Sequence, residues 1–218
     1  MTNLILIKFI VYDELDNFID AVRTDPKTVT DTIIDKIIEL NKSPFLKFLL
    51  EENLIDLTND KFICDCSRVK NNLELMRLLI DSGANFRAGQ YNWPHDYVIL
   101  SLCYNDNDPT LKLLLELGVD PNIYDGKLIA TVAGYGILST AEILLEFGAD
   151  PNCQKGEPLR VAITGQNEEM VRLLMKYGAD PAKVSFKKSK FVNFLLDVGF
   201  DENQLVNILL AEINEFND

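Results

Sequence analysis

The chain has 218 residues, of which 47% are apolar and 25% charged, and its formal net charge is −13. This composition is typical of a globular protein and excludes the disordered class. The surplus of carboxylates predicts no nucleic-acid partner, because affinity for phosphates comes from lysine and arginine. The most apolar run, Leu4 to Tyr12, contains Lys8 and is too short to span a bilayer, so we expect no membrane association.

The first 30 residues differ from the rest of the chain. Asp13 to Arg23 predicts a helix, with acidic residues in its first turn and Asp25-Pro26 at its end. Leu4 to Val11 has the composition of a strand, but it also fits the first helix of a divergent N-terminal cap. Both alternatives remain open at this point.

After the N-terminal segment, a leucine-rich block that ends in a glycine turn recurs along the chain. The turn glycines are Gly83, Gly118, Gly148, Gly178 and Gly199. An earlier copy has Asn53 in place of the glycine, and asparagine is the next-best residue for a left-handed helix cap. A second short apolar stretch precedes each block, so the unit reads as helix, turn, helix. Such units bury their apolar faces only by stacking on each other.

The recurring unit resembles the ankyrin repeat family. The family's unit has a Pro-Leu-x-x-Ala-Ala first helix, a second helix with Val-Val-x-Leu-Leu-Leu, and a Gly-Ala-Asp-x-Asn ending, and Pro158 to Ala182 matches it best. The matching residues are Pro158, Leu159, Ala162, Val171, Leu173, Leu174, Gly178, Ala179 and Asp180. The resemblance implies an all-α fold, an ankyrin-repeat solenoid of stacked helix-turn-helix units with atypical capping ends and mostly short inter-repeat loops.

We expect one ankyrin-repeat domain over residues 1–218. It comprises a divergent N-terminal cap over 1–30, about five repeats over 31–182, and a partial repeat with a C-terminal capping helix over 183–218. The capping helix is the amphipathic segment from Glu202 to Phe216, for which the alternative is a helix offered to another protein.

The spacing of the units departs from the family's usual interval of about 33 residues. Gly118, Gly148 and Gly178 are 30 residues apart, which predicts that the hairpins between repeats are clipped to short loops. The interval from Gly83 to Gly118 is 35 residues, so Ala84 to Tyr97 should form one longer loop. Clipped units of this style look like those of giant DNA viruses, which predicts a viral protein.

Motifs for catalysis, metals or cofactors are missing from the sequence. His95 is the single histidine, and no phosphate loop or nucleophile motif accompanies it. Cys64 and Cys66, two residues apart on a helix, point to nearly opposite faces, and no further pair completes a tetrahedral site. We therefore predict free thiols, no enzyme activity, no cofactor and no metal, in a protein of the cytoplasm or nucleus.

The resemblance implies a binding surface on the concave side, made of the loop tips and the ends of the first helices. Aromatic residues at these positions cluster in the middle of the chain, and interfaces concentrate their energy in tryptophan and tyrosine. The candidate partner-binding residues are Tyr91, Trp93, His95, Tyr104, Tyr124 and Tyr135. The alternative is that Trp93 and Tyr97 hold the long loop in shape and that the tyrosines are half-buried packing residues.

The predicted function is a protein–protein interaction module that binds a partner protein through its concave face and its long loop. The acidic balance favours a basic partner. We expect a monomer that acts as a viral or host-directed effector in the host cytoplasm or nucleus. The alternative function is a substrate-recruiting adaptor for a ubiquitin-ligase complex.

Overall fold

The computed structural model describes residues 3–58, 61–86, 101–103, 107–184, 192–201, 203, 205 and 206. All regular secondary structure among these residues is helical, which confirms the predicted all-α fold class. The chain forms two compact units, residues 1–119 and 120–218. The predicted division of residues 1–218 into a cap, about five repeats and a C-terminal partial repeat within one domain stays a prediction.

The first unit consists of helix pairs. Its helices are α1 (Asn3–Val11), α2 (Leu15–Thr24), α3 (Asp31–Glu39), α4 (Ser43–Glu51), α5 (Lys61–Ser67), α6 (Leu73–Asp81) and α7 (Asp108–Glu116), and residues 101–103 are also helical. α1 packs on α3 and α3 on α5, while α2 packs on α4 and α4 on α6. First helices thus stack on first helices and second helices on second helices. The N-terminal segment is a helix rather than a strand, because α1 is paired with α2 in the same way.

The second unit repeats this arrangement. Its helices are α8 (Ile123–Tyr135), α9 (Leu138–Glu146), α10 (Cys153–Thr164), α11 (Glu168–Lys176) and α12 (Val192–Asp197). α8 packs on α9 and on α10, and α11 packs on α9 and on α10. The predicted C-terminal capping helix, Glu202 to Phe216, lies almost entirely outside the described residues.

The core follows the repeat interval read from the sequence. Four residues before each cap position from Asn53 to Gly178, a wholly buried leucine recurs: Leu49, Leu79 and Leu114 in the first unit, and Leu144 and Leu174 in the second. In the first pairs, aromatic rings add to this core, since Phe18 meets Phe45 edge-on with ring centroids 5.1 Å apart. Within each unit, neighbouring pairs therefore bury their apolar faces against each other, as expected for a repeat that is unstable alone.

The second helices end in the predicted left-handed caps. Gly178 has φ +88°, its N–H donates to Met175 O at 3.0 Å, and the N–H of Ala179 donates to Leu174 O at 3.0 Å. This pair of bonds is a Schellman motif, which satisfies carbonyls that the helix end leaves open. Asn53 adopts φ +55° at the equivalent position, which confirms its predicted role as a substitute for glycine.

Candidate partner-binding surface

Tight left-handed turns take the place of hairpins between the repeats of the second unit. Tyr124, Asp125 and Gly126 all lie in the left-handed region, with φ of 56°, 55° and 72°. Thirty residues later Gln154, Lys155 and Gly156 do the same, with φ of 48°, 59° and 76°. We call these two segments the tips. The four non-glycine side chains of the tips are exposed, whereas both glycines are buried.

The two tips touch each other. A Cβ placed on Gly126 would lie 2.4 Å from Cys153 Cβ, so only glycine fits between the first tip and the start of α10. The Cys153 thiol points at the carbonyl oxygen of Gly126 at 3.4 Å. The side-chain amide of Gln154 reaches the carbonyl oxygen of Tyr124 at 3.5 Å, at the long end of the hydrogen-bond range. The exposed side chains of the tips therefore form one row.

Asparagine side chains fix the spacing of this row. Asn122 donates through Nδ2 to Gly148 O at 2.9 Å and accepts the N–H of Asp150 at Oδ1 at 2.7 Å. Asn152 makes the same two bonds one repeat later, to Gly178 O at 2.9 Å and from the N–H of Asp180 at 2.6 Å. Each asparagine thus ties the end of one repeat to the end of the next.

The aspartates at the repeat ends bond to nearby backbone. Asp120 Oδ1 accepts the N–H of Asn122 at 2.8 Å, and Asp150 Oδ1 accepts the N–H of Asn152 at 2.8 Å. Both carboxylates therefore orient the asparagine that forms the link between repeats. They have a structural role in the turn, and nothing in this geometry resembles an acid–base pair.

An exposed strip runs along α8 from the first tip. Lys127, Gly134 and Tyr135 are exposed and Thr131 is half-buried, and their spacing of i, i+4, i+7 and i+8 places them on one face. A Cβ on Gly134 would lie 3.8 Å from Val161 Cγ2, an ordinary van der Waals distance between α8 and α10 beneath this strip. Tyr135 is 69% exposed at the end of the strip, next to Gly134.

The structure describes two of the six predicted partner-binding residues. Tyr124 is 46% exposed at the tip and Tyr135 69% exposed at the far end of α8. Tyr124 lies in the tip before the strip and Tyr135 is the last residue of the strip, so they border its two ends rather than form a cluster. The other four, Tyr91, Trp93, His95 and Tyr104, lie outside the described residues, together with most of the long loop.

The tips were not among the features predicted from the sequence. Their signal is the motif Asp-Pro-Asn-x-x-x-Gly, which occurs at Asp120 to Gly126 and again at Asp150 to Gly156. The glycine in this motif marks the third left-handed residue. The prediction that the hairpins are clipped is correct, but it did not include the left-handed conformation of the shortened segment.

The cysteines are free thiols, as predicted, and three of them have surroundings that make them unreactive. Burial raises the pKa of Cys66 and of Cys103 to about 12. Burial, followed by the charge of Asp150, raises the pKa of Cys153 to about 11. A thiol is nucleophilic only as thiolate, so these three side chains act as small core residues.

Within the described ranges, no group of three or more His, Cys, Asp or Glu side chains could hold a metal ion. In the same part of the chain, no helix is both long and apolar enough to cross a membrane.

Comparison with known proteins identifies the repeat. The family model for ankyrin repeats matches residues 99–185 in three copies. No curated protein matches the chain. Ankyrin repeats generally mediate protein–protein interaction and are typically not enzymatic. Residues 99–185 of this chain therefore comprise three ankyrin repeats.

Proposed function

We propose that the protein binds a partner protein through the tips and the exposed strip of α8. The proposal rests chiefly on Tyr135, which is 69% exposed and follows Gly134, a residue without a side chain. Tyrosine offers a large, stiff contact area with a polar end, and such residues dominate the energy of protein interfaces. The predicted residues Tyr91, Trp93, His95 and Tyr104 of the long-loop region belong to the same proposed surface.

The conformation of the tips supports a binding role. Non-glycine residues in the left-handed region each cost about 1–3 kcal/mol, and such residues concentrate where a rigid geometry serves a ligand. Tyr124, Asp125, Gln154 and Lys155 all carry this cost while their side chains face solvent. A row of side chains that is already fixed loses less entropy on binding.

The net charge of −13 supports a basic partner, since opposite charges speed the encounter of two proteins. The tips themselves carry both signs, Asp125 in one and Lys155 in the other, so local charge would set orientation more than affinity. We further propose a monomeric, non-enzymatic, host-directed effector of viral origin that works in the host cytoplasm or nucleus.

Affinity capture tests this function. The intact protein and the variants Tyr135→Ala and Tyr124→Ala would be compared as baits in a host-cell extract, and the captured protein would then be titrated. We expect Tyr135→Ala to weaken binding about 30-fold, the effect of about 2 kcal/mol at a hot spot. Tyr177→Ala, in the same unit at the end of α11, is the matched control and should bind normally.

A Trp93/Tyr104/Tyr135 triple alanine variant extends the test to the long loop. If it captures the partner as well as the intact protein does, the proposed surface is wrong. If the tyrosine variants only lower the melting temperature, the residues have a packing role. Recovery of ubiquitin-ligase subunits would favour the adaptor function instead.

A further inference from the structure

Helix α1 is apolar on every side. All of its residues except Asn3 and Lys8 are aliphatic or aromatic. Leu6 and Ile10 are wholly buried, on the side where α1 packs on α2 and α3. A helix that is apolar all round normally lies inside a protein, with neighbours on more than one side.

The opposite side of α1 is exposed. Leu4 is 75% exposed, Ile5 40%, Val11 45%, and Tyr12, the residue after the helix, 66%. With exposed Lys8 they occupy positions i, i+1, i+4, i+7 and i+8, which form a single stripe of two helical turns. We call these five residues the α1 outer face.

An apolar outer face is unexpected on a helix whose outer side no other described helix covers. The uncovered face of a repeat stack is normally polar, which keeps the array soluble, and a contiguous exposed apolar patch marks an interaction site. Leu4 and Tyr12 are the two large side chains of this patch, one at each end. Tyrosine is also among the residues that most often anchor interfaces.

Lys8 at the centre of the α1 outer face has no ion-pair partner among the described residues. The nearest carboxylates along the chain have other partners. Asp13 accepts the Lys42 ammonium at 2.6 Å, and Glu14 accepts the Asn17 amide at 2.9 Å. Among the described residues, the face therefore presents one positive charge that has no ion-pair partner and that is flanked by apolar side chains.

We propose that the α1 outer face docks an amphipathic helix of a partner protein that carries a carboxylate in the middle of its apolar stripe. Apolar residues at i, i+3 or i+4, and i+7 of that helix cover Leu4, Val11 and Tyr12, which is the usual way in which helices are recognised. The carboxylate pairs with Lys8. Once apolar side chains surround this ion pair, partner helices with a neutral or basic residue at the centre of their stripe bind less well.

Charge makes two other occupants unfavourable. In a two-fold pairing of antiparallel α1 helices, the central Lys8 of each copy would face its symmetry mate. Anionic lipid headgroups would be repelled by Glu14, Asp16 and Asp20, which follow the face in the sequence. The net charge of −13 adds to this repulsion. A single lysine provides little attraction against these charges.

A displayed library of helical peptides, each about four turns long, tests the proposal. Apolar residues are fixed along one stripe, and the central stripe position and the outer positions are randomised. The full chain serves as bait, and enriched peptides are synthesised and titrated. We expect enrichment of Asp or Glu at the centre, and at least about tenfold weaker binding to Leu4→Asp and to Tyr12→Asp. Lys8→Glu should reverse the preference, so that peptides with a central lysine bind best.

Leu196→Asp is the matched control, because it adds a carboxylate at an apolar residue of the other unit that is 47% exposed, and it should bind the peptides normally. Circular dichroism melting verifies that the outward-facing variants fold. No enriched peptide, or peptides that bind Leu4→Asp unchanged, would overturn the proposal.

Two further results would also overturn it by naming another occupant. One is a dimer, seen in sedimentation of the full chain alone, that Leu4→Asp abolishes. The other is co-sedimentation with phosphatidylcholine–phosphatidylserine vesicles that the same variant abolishes.

Discussion

The carboxamide oxygen of Asn122 accepts the backbone N–H of Asp150 at 2.7 Å, one repeat further along the chain. The amide nitrogen of the same side chain donates to Gly148 O at 2.9 Å. Asn152 repeats the arrangement with Asp180 and Gly178. The series stops at the next equivalent position, because residue 182 is alanine. These bonds link neighbouring repeats.

Asn152→Ala should destabilise the protein by about 1–3 kcal/mol, because it leaves the N–H of Asp180 and the carbonyl oxygen of Gly178 without this partner. Urea unfolding followed by circular dichroism measures the change. Asn17→Ala removes an exposed asparagine that bonds only to a nearby side chain, Glu14, and should change stability by less than about 0.5 kcal/mol. Equal losses for the two variants would refute a structural role for the link.

Gly126→Ala should cost about 1–3 kcal/mol more than Gly148→Ala. Both glycines have a positive φ, of +72° and +90°, so both changes strain the backbone. The added Cβ at residue 126 also meets Cys153 Cβ at 2.4 Å, whereas the Cβ at residue 148 meets nothing within 4 Å. Thermal unfolding of the two variants compares the costs. If Gly148→Ala proves the more damaging, the close contact at the tip is wrong.

Thr110→Val should be more destabilising than Thr110→Ser. The buried Thr110 hydroxyl donates to Asn72 Oδ1 at 2.6 Å, and the Asn72 amide donates to Cys66 O at 2.6 Å. Valine keeps the volume but removes the donor, at a cost of about 1–3 kcal/mol, while serine keeps the hydroxyl and loses about one methyl group. Denaturant unfolding midpoints decide the order, and the reverse order would contradict the hydrogen-bonded role.

Cys64 should react with a thiol reagent at mildly alkaline pH well before the other three cysteines. It is half-buried, whereas Cys66, Cys103 and Cys153 are buried. Burial raises the pKa of Cys66 from its ordinary value of 9.0 to about 12. The reaction is followed with Ellman's reagent, and Cys64→Ser should remove the fast phase. A fast phase that survives in this variant would contradict the described burial.

The same shift gives the stability a dependence on alkaline pH. The unfolded chain loses the Cys66 proton near its ordinary pKa of 9.0, whereas the folded chain keeps it up to about 12. The neutral buried thiol therefore contributes its full stability below about pH 9, and the contribution is lost between about pH 9 and 12. Cys66→Ala should flatten the fall of the unfolding midpoint over this window. An identical slope in both proteins would contradict the raised pKa.

The helix pairs could be predicted from sequence because their signals are local and repeated. Gly178 and Asn53 mark left-handed caps through their own backbone preferences, and the structure confirms both. The conformation of the tips could not be predicted in this way. Tyr124 and Gln154 have no preference for positive φ, yet both adopt it in the packed structure.

Local signals in the sequence were sufficient for the all-α class, the 30-residue spacing of the repeats and the positions of their caps, because period and turn chemistry are written into each unit. Which apolar and aromatic side chains remain exposed to solvent was decided only by the packing of the helices. Burial depends on whether a neighbouring helix covers a given face, so Leu6 is enclosed while Leu4 on the same helix is exposed. In the same way, Tyr124 and Tyr135 border opposite ends of one strip, since their separation follows from the helix between them.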